Sequence, residues 1–482
     1  MARVGAFAAV DLGATSGRVI RAEVSAEGAQ LQEVHRFVNE PIHDGGALRW
    51  QVSSLWQEVL SGLRAAGEHG GLDGIGIDSW AVDYGLLDAH GQLLADPVAY
   101  RDERTAGVIE QVHTRISPED LYAISGMQHL PFNTIYQLAA EQRGPLWDRA
   151  ARALLLPDLL GYWLTGVQVS ELTNASTTAL LDQRSRTWSS QLLSAVGVPS
   201  DLLAPVAEPG TLLGHLTEEV QTTTGLGAVP VYTVGSHDTA SAVLSVPAER
   251  EDFAYISSGT WSLVGVELEQ PVLTEDSRAA NFTNELGVDG TVRYLRNVMG
   301  LWVLSECQRT WADQGHPVEL TDLLAGAAAL PPRRTLVDVD HPDFLPPGDM
   351  PARLRAHARS AGQVEPSTPA EHARCVIDSL ALAYRRAIDD AARLSGRQVA
   401  VVHVVGGGSQ NSLLCQATAD ATGLPVLAGP VEGTALGNAL VQARAAEVLT
   451  GDRTALRAVA ARTAEVRRYT PDPGEREAWQ AV

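Results

Sequence analysis

The sequence predicts an α/β protein built as two similar halves around a ligand cleft, and three observations predict it. Residues 6–10, 11–18 and 19–24 read as strand, polar glycine turn and strand, a β-hairpin with an unusual tip. The pattern returns at 253–256, 257–260 and 261–266, so each half opens with the same device, as duplicated domains do. Residues 399–405, apolar except for His403, read as a strand buried on both faces that runs straight into Gly406, Gly407 and Gly408. In α/β proteins a strand's carboxyl end followed by such a turn is where ligands bind.

The remaining elements follow in order. Strand-like runs at 74–78 and 229–234 end in polar residues, with helical patterns between them. Over 245–252, Pro247 and charged residues interrupt the pattern, which places an N-terminal domain at 1–246 and a C-terminal domain at 247–482. The proline-rich stretch 330–351 reads as a surface excursion of the second half. Ala373, Val376, Ile377, Leu380, Tyr384, Ile388 and Ala391 keep the spacing of an amphipathic helix that stops at Ser395 and Gly396.

Composition excludes several chemistries. At 482 residues, 45% hydrophobic and 20% charged, the chain has the make-up of a folded protein with more than one core. The net charge of −22 is spread along the chain with no concentrated basic stripe, so no nucleic-acid partner is expected. All 36 cationic residues are arginine. Without lysine there is no G-x-x-x-x-G-K-[ST] phosphate loop, no protein-kinase strand lysine and no Schiff base for pyridoxal chemistry. Cys307, Cys375 and Cys415 are odd in number and lack ligand spacing, so they read as reduced core residues. Residues 4–10 lack the flanks of a signal peptide, and the apolar run 153–164 is too short for a bilayer and holds Pro157 and Asp158. A cytoplasmic protein with no membrane partner is expected.

Asp11, Gly13, Thr15, Ser16, Gly17 and Arg18 form a turn whose N–H groups, hydroxyls and guanidinium can converge on an anion. It is either a phosphate cradle without lysine or an ordinary hairpin rich in turn residues. Ser257, Ser258, Gly259 and Thr260 make the second candidate cradle. Gly406 to Gly408 let a nucleotide lie against bare backbone, or form a plain turn, and Gly433 and Gly437 permit close helix packing near the same site. Asp238 either caps the helix that follows it or accepts the proton of an alcohol attacking the γ-phosphoryl of ATP while Mg²⁺ bridges the phosphates. Asp11 is the natural partner of that Mg²⁺, through water. Trp80, between Asp78 and Asp83, offers a sugar a ring face and carboxylates, or is a core residue.

Together these segments resemble the FGGY family of carbohydrate kinases. The resemblance rests on residues 11–19, 76–83, 100–105, 130–134, 236–241, 257–261, 297–302 and 405–411, and runs from the first strand to about Gly437. It implies an α/β fold of two actin-like ATPase (ribonuclease H-like) domains with a central ligand cleft, and MgATP-dependent phosphorylation of a small-molecule sugar. The members it matches most imply L-rhamnulose, converted to L-rhamnulose 1-phosphate in L-rhamnose breakdown. By position, Asp238 is the proton acceptor and, with Asp11, a metal partner. Ala14, Thr15, Ser16, Gly17, Arg18, Thr260, Ser305 and Gly407 fall to ATP, and Trp80, Ala81, Asp83, His237, Asp238, Thr239 and Asn297 to the sugar. Ala81 stands where relatives commonly have glycine, and Ser305 where some have glutamine. The rival expectations are another ketose, such as L-fuculose or D-xylulose, and an actin- or chaperone-like nucleotide switch.

Overall fold

The opening hairpin of the computed structural model, which describes residues 3–481, follows the alternation of the sequence. β1 (Gly5–Leu12) pairs antiparallel with β2 (Ser16–Ser25), and β2 with β3 (Gly28–Val38). α1 (Val52–Glu68) buries Val52, Leu55, Val59, Leu60, Leu63 and Ala66, the helical spacing of a core-facing stripe. The chain returns as β4 (Gly74–Ser79), parallel to β1 and buried along its whole length. β5 (Leu212–His215) and β6 (Pro230–Tyr232) complete a sheet of order β5-β6-β4-β1-β2-β3. β6 is shorter than the 229–234 run suggests. Beyond Tyr232 the backbone pairs with a loop instead, Thr233 N–H donating to Thr211 O (2.9 Å) and Gly210 N–H to Thr233 O (2.7 Å). α2 (Asp238–Leu244) follows directly.

The second hairpin, β7 (Phe253–Ser258) and β8 (Ser262–Leu268), repeats the first. α3 (Trp302–Asp313) and α4 (Met350–Ser360) lead to the long α5 (Pro369–Ser395). α5 starts at a capping box between Thr368 and Glu371, has Pro369 in its first turn, and stops at left-handed Gly396 (φ 71°). Its buried face contains all seven residues that the periodicity selects. β9 (Val401–Val405) lies parallel to β7 and to β10 (Val426–Ala428). α6 (Gly433–Ala445) precedes the last strand, β11 (Arg467–Tyr469), which is antiparallel to β10. In both hairpins the first strand therefore has a parallel neighbour, β4 beside β1 and β9 beside β7.

The chain divides into two compact units, but not at a single cut. The first takes the chain up to Glu249, then Glu267–Tyr294 and Gly433–Ala464; the second takes Arg250–Val266, Leu295–Glu432 and the chain from Glu465. The proline-rich stretch is more than a surface excursion, because it buries Val339 and Phe344 completely. The three cysteines are free and buried, and burial pushes the Cys375 and Cys415 thiols up to about 12, as for inert core residues. Among the described residues no helix is long and apolar enough to cross a membrane.

Candidate active site

In the first unit, the parallel register sets Asp11 on β1 opposite Asp78 on β4. Arg18, opposite Asp11 on β2, donates from Nε and Nη2 to Asp11 Oδ2 at 2.9 and 2.7 Å. The guanidinium expected to face an anion thus already neutralises a carboxylate. The hairpin tip is closed by Gly13 N–H to Ser16 O (2.9 Å), and Asn39 pins it through Nδ2 to Gly13 O (2.8 Å) and N–H to Thr15 O (3.1 Å). Thr15 stands exposed at the tip. Gly17 is required by packing, since a Cβ there would fall 2.3 Å from the Phe37 ring.

Asp78 is completely buried. Asn438 Nδ2 donates to its Oδ2 at 2.6 Å, and Gln442 Nε2 donates to Asn438 Oδ1 at 2.6 Å, so two amides on α6 orient the carboxyl. Its Oδ1 has no hydrogen-bond partner. Burial, then the charge of Asp11, push Asp78 well above the usual carboxylate range, with Asp238 adding to the rise.

Asp238 is the first residue of α2, and the cap position belongs to His237, so the helix-cap reading of Asp238 does not hold. Its side chain keeps 33% of its accessible surface. Burial pushes its carboxyl up; His237 opposes this, Asp11 adds to it, and the Thr239 hydroxyl, donating to Oδ1 at 3.0 Å, pulls it back. Arg293 Nη1 lies 3.2 Å from His237 Nδ1, and the other ring nitrogen, Nε2, lies 3.4 Å from Asp238 Oδ1. Glu285 completes this cluster, its Oε2 lying 3.0 Å from Arg293 and 3.1 Å from His237 Nδ1. Burial would raise Glu285, but the charges of Arg293 and His237 outweigh it and hold the carboxyl below its usual range.

The loop before Asp238 is anchored from beneath. Glu171 Oε2 accepts from Ser236 N–H (3.1 Å) and Oγ (2.7 Å), while Thr173 Oγ1 accepts from His237 N–H (3.3 Å). From the other side α6 packs on α2 so closely that a Cβ on Gly437 would sit 1.8 Å from Ser241 O. The close packing expected at Gly437 therefore serves the helix of Asp238.

Trp80 and Asp83 are both buried. Asp83 Oδ2 accepts from Trp50 Nε1 (2.6 Å), Trp80 Nε1 (3.0 Å) and Tyr100 N–H (3.1 Å), and Oδ1 accepts from Gln137 Nε2 (3.1 Å). Four protein donors occupy this carboxylate, and it fixes the Trp80 ring, whose centroid lies 4.3 Å from that of Trp50. Between partly buried Ala81 and Asp83, Val82 adopts a left-handed backbone (φ 70°), a costly state for a β-branched residue. Thr134 Oγ1 donates to its carbonyl at 2.8 Å, helping to hold it there.

In the second unit, the start of α3 grips the hairpin tip: Leu301 N–H donates to Gly259 O and Trp302 N–H to Thr260 O, both at 3.1 Å. Ser305 is exposed in the first turn of α3, and Asn297 is partly exposed near the end of its strand. A Cβ at Gly408 would lie 2.0 Å from Ser258 Oγ, and one at Gly406 3.0 Å from Ser258 O, whereas Gly407 faces open space. Two of the three glycines thus allow the turn to press on β7, and the third presents bare backbone.

The sequence reading omitted Glu171, Glu285, Arg293 and Asn438. The partners that set them in the site, Ser236, Arg293, His237 and Asp78, lie 8 to 360 residues away, and no local pattern marks them. Asp78 was legible only as a strand-end carboxylate.

Family models for the N-terminal and C-terminal domains of the FGGY family of carbohydrate kinases match residues 6–245 and 254–446. The chain is 42% identical over 479 residues to a rhamnulokinase of Bacteroides thetaiotaomicron, covering 99% of this chain and 97% of that protein. It is 43% identical over 474 residues to a rhamnulokinase of Klebsiella pneumoniae strain 342, covering 96% and 94%. A gluconate kinase structure from Lactobacillus acidophilus superposes with TM-score 0.82 at 17% identity, covering 99% of this chain and 96% of that one. The Plasmodium falciparum glycerol kinase with ADP gives TM-score 0.78 at 13% identity, with the same coverage. These structures share the two-domain α/β fold.

Proposed function

The chain belongs to the FGGY family of carbohydrate kinases, and from that premise we propose that it transfers the γ-phosphoryl group of ATP to L-rhamnulose, giving ADP and L-rhamnulose 1-phosphate. The observation that carries the reaction is the Asp238 carboxylate, part-exposed at the start of α2, raised by burial and held at Oδ1 by Thr239 beside His237. Support for the sugar is the 42% identity over 479 residues to a rhamnulokinase.

In this reading Asp238 takes the proton of the primary hydroxyl as that oxygen bonds to the γ-phosphorus and the bond to the bridging oxygen breaks. Its raised basicity brings the carboxylate nearer the operating pH. Glu171, Glu285 and Arg293 act through position, by keeping the 236–238 backbone and the His237 ring in place. His237, Thr239, Trp80, Ala81 and Asn297 face the sugar, and Asp83 contributes by fixing Trp80. Ala14 to Arg18, Thr260, Ser305 and Gly407 serve ATP. The sugar and the first phosphate hairpin fall to the N-terminal domain and the nucleotide to the C-terminal domain; the expected bounds, 1–246 and 247–482, assign 267–294 and 433–464 to the second domain, but these group with the first unit.

The carboxylates of Asp11, Asp78 and Asp238 are hard oxygen donors, and the unpartnered Asp78 Oδ1 is a group that a cation would satisfy. Asp11 and Asp238, through water, are the residues that would hold Mg²⁺, which when bound supplies charge neutralisation on the phosphates.

The test is ADP release by purified enzyme in the presence of MgATP, with a ketose panel headed by L-rhamnulose and a no-sugar control. A clear preference for L-rhamnulose is expected. Preference for L-fuculose or D-xylulose would overturn the substrate, and release independent of sugar would favour a nucleotide switch.

A further inference from the structure

Outside the site described above, the second unit brings together two histidines and an aspartate that the kinase reaction leaves unused. His341 and Asp343 lie in the proline-rich stretch, at a short 3₁₀ turn (Pro342–Phe344), and His357 lies on α4. Asp343 Oδ2 is 2.9 Å from His357 Nε2 and 3.5 Å from His341 Nδ1, and the two imidazole centroids are 4.5 Å apart. Among the described residues this is the one set of three or more His, Cys, Asp or Glu side chains whose ligand atoms all lie within 4.8 Å of one another.

We propose that His341 Nδ1, Asp343 Oδ2 and His357 Nε2 form a three-ligand site for a divalent first-row transition cation of the zinc class, which clips the proline-rich stretch to α4. The geometry is the first argument. Bonds of about 2.0–2.1 Å in tetrahedral coordination put neighbouring ligand atoms roughly 3.4 Å apart; the 3.5 Å pair already has that spacing, and the 2.9 Å pair, hydrogen-bonded without the ion, would open by about 0.5 Å. The second argument is the lone pair. Asp343 N–H donates to His341 Nδ1 at 3.2 Å, so the ring presents an unprotonated nitrogen on the side of the Asp343 carboxylate, and a cation bound there would replace that long hydrogen bond.

The donor types choose the metal. Imidazole nitrogens suit Zn²⁺, Ni²⁺ or Cu²⁺, whereas Mg²⁺ selects oxygen. The surroundings fit a site that exchanges with solvent: the His341 and Asp343 side chains keep 44% and 59% of their accessible surface, leaving room for a water ligand. The buried Phe344 ring, 4.7 Å from that of His357, braces one ligand. Beside His341, Asp340 accepts from Met299 N–H at 2.9 Å and pairs with Arg296 at 3.3 Å, so the clip reinforces a contact the segment already makes.

The experiment uses the full chain, stripped with a chelator and kept free of Mg²⁺. Calorimetric titration with Zn²⁺ is expected to show one equivalent bound at micromolar concentration or tighter. Replacing both histidines, His341→Gln and His357→Gln, should weaken that binding by at least about tenfold, the scale on which a metal site responds to a lost partner. A separate reading on the parent protein does not depend on how the variant folds: Co²⁺ should give the intense visible absorption of four-coordinate cobalt. Absence of Zn²⁺ binding, unchanged affinity in the double variant, or the pale spectrum of six-coordinate cobalt would each overturn the site.

Discussion

Glu171→Ala tests whether the loop carrying Asp238 is set from below. Glu171 is buried and accepts five hydrogen bonds, three from the backbone N–H groups of Thr173, Asn174 and Ser236, and two from the hydroxyls of Thr173 and Ser236. The hydroxyls can rotate toward other acceptors; the N–H groups cannot. Two of the three lie in the first turn of a short helix that Glu171 caps, and losing a cap costs about 0.5–2 kcal/mol. The third, on Ser236, becomes a buried orphan at about 1–3 kcal/mol. The expected loss is about 2–4 kcal/mol, toward the lower part of the sum because the burial cost of the acid disappears with it. Ser236 directly precedes His237 and Asp238, so loosening it misplaces the base. Displacements near 1 Å cost up to about 100-fold. Urea unfolding measures the first effect, and steady-state kinetics at a temperature where the variant stays folded measures the second. kcat should fall about 10- to 100-fold with KM for ATP nearly unchanged, and Glu171→Gln, which keeps one acceptor oxygen, should recover part of it. A variant that is destabilised but turns over at the parental rate would refute the positioning role; one with less than about 1 kcal/mol lost would refute the hydrogen-bond accounting.

Asp238→Asn should leave ATP binding largely intact and reduce turnover by orders of magnitude; unchanged turnover would remove Asp238 from the base role. In the parent enzyme the acid limb of kcat/KM should lie above the ordinary carboxylate range, because burial raises Asp238 and the base must be ionised. Asp158 is buried, its Oδ2 has no partner, and burial followed by the charge of Glu171 raises its carboxyl. A raised folded-state pKa stabilises while the group is protonated, and that contribution is lost as pH rises through the folded value. Asp158→Asn mimics the protonated acid and should flatten the decline in melting temperature that sets in above the ordinary aspartate pKa of about 4; an unchanged profile would exclude Asp158 as its source. Gly437→Ala places a methyl 1.8 Å from Ser241 O and should cost about 1–3 kcal/mol while lowering turnover, because α6 is pushed off the helix of Asp238. Parental thermal stability and rate in that variant would show that the two helices separate freely.

Much of the architecture is legible locally. Apolar runs flanking a polar glycine turn mark the β1–β2 and β7–β8 hairpins, the spacing of Ala373 to Ala391 marks α5, and Gly396 marks its end. The three glycines after β9 mark a turn, and the His237–Asp238–Thr239 run marks the start of α2. Each of these signals needs only a few neighbours, since strand and helix periods and glycine's freedom at positive φ act over short stretches of chain. Residue types also limit the chemistry: with no lysine anywhere, charge neutralisation falls to arginine and to groups bound from solution.

The fate of each polar side chain is a different matter. Arg18 looks like a phosphate ligand and is paired with Asp11; Asp83 looks like a sugar ligand and is filled by four protein donors. Glu171 and Ser236 are 65 residues apart, and Asp78 and Asn438 are 360 apart, yet buried hydrogen bonds join each pair. Nothing in the chain near either partner announces the other, because a buried polar group takes whichever donor the packed backbone brings within about 3 Å. Residue identity and spacing thus assign the elements and single out the carboxylate proposed as the base, while desolvation and packing choose which charged groups remain free to meet a substrate.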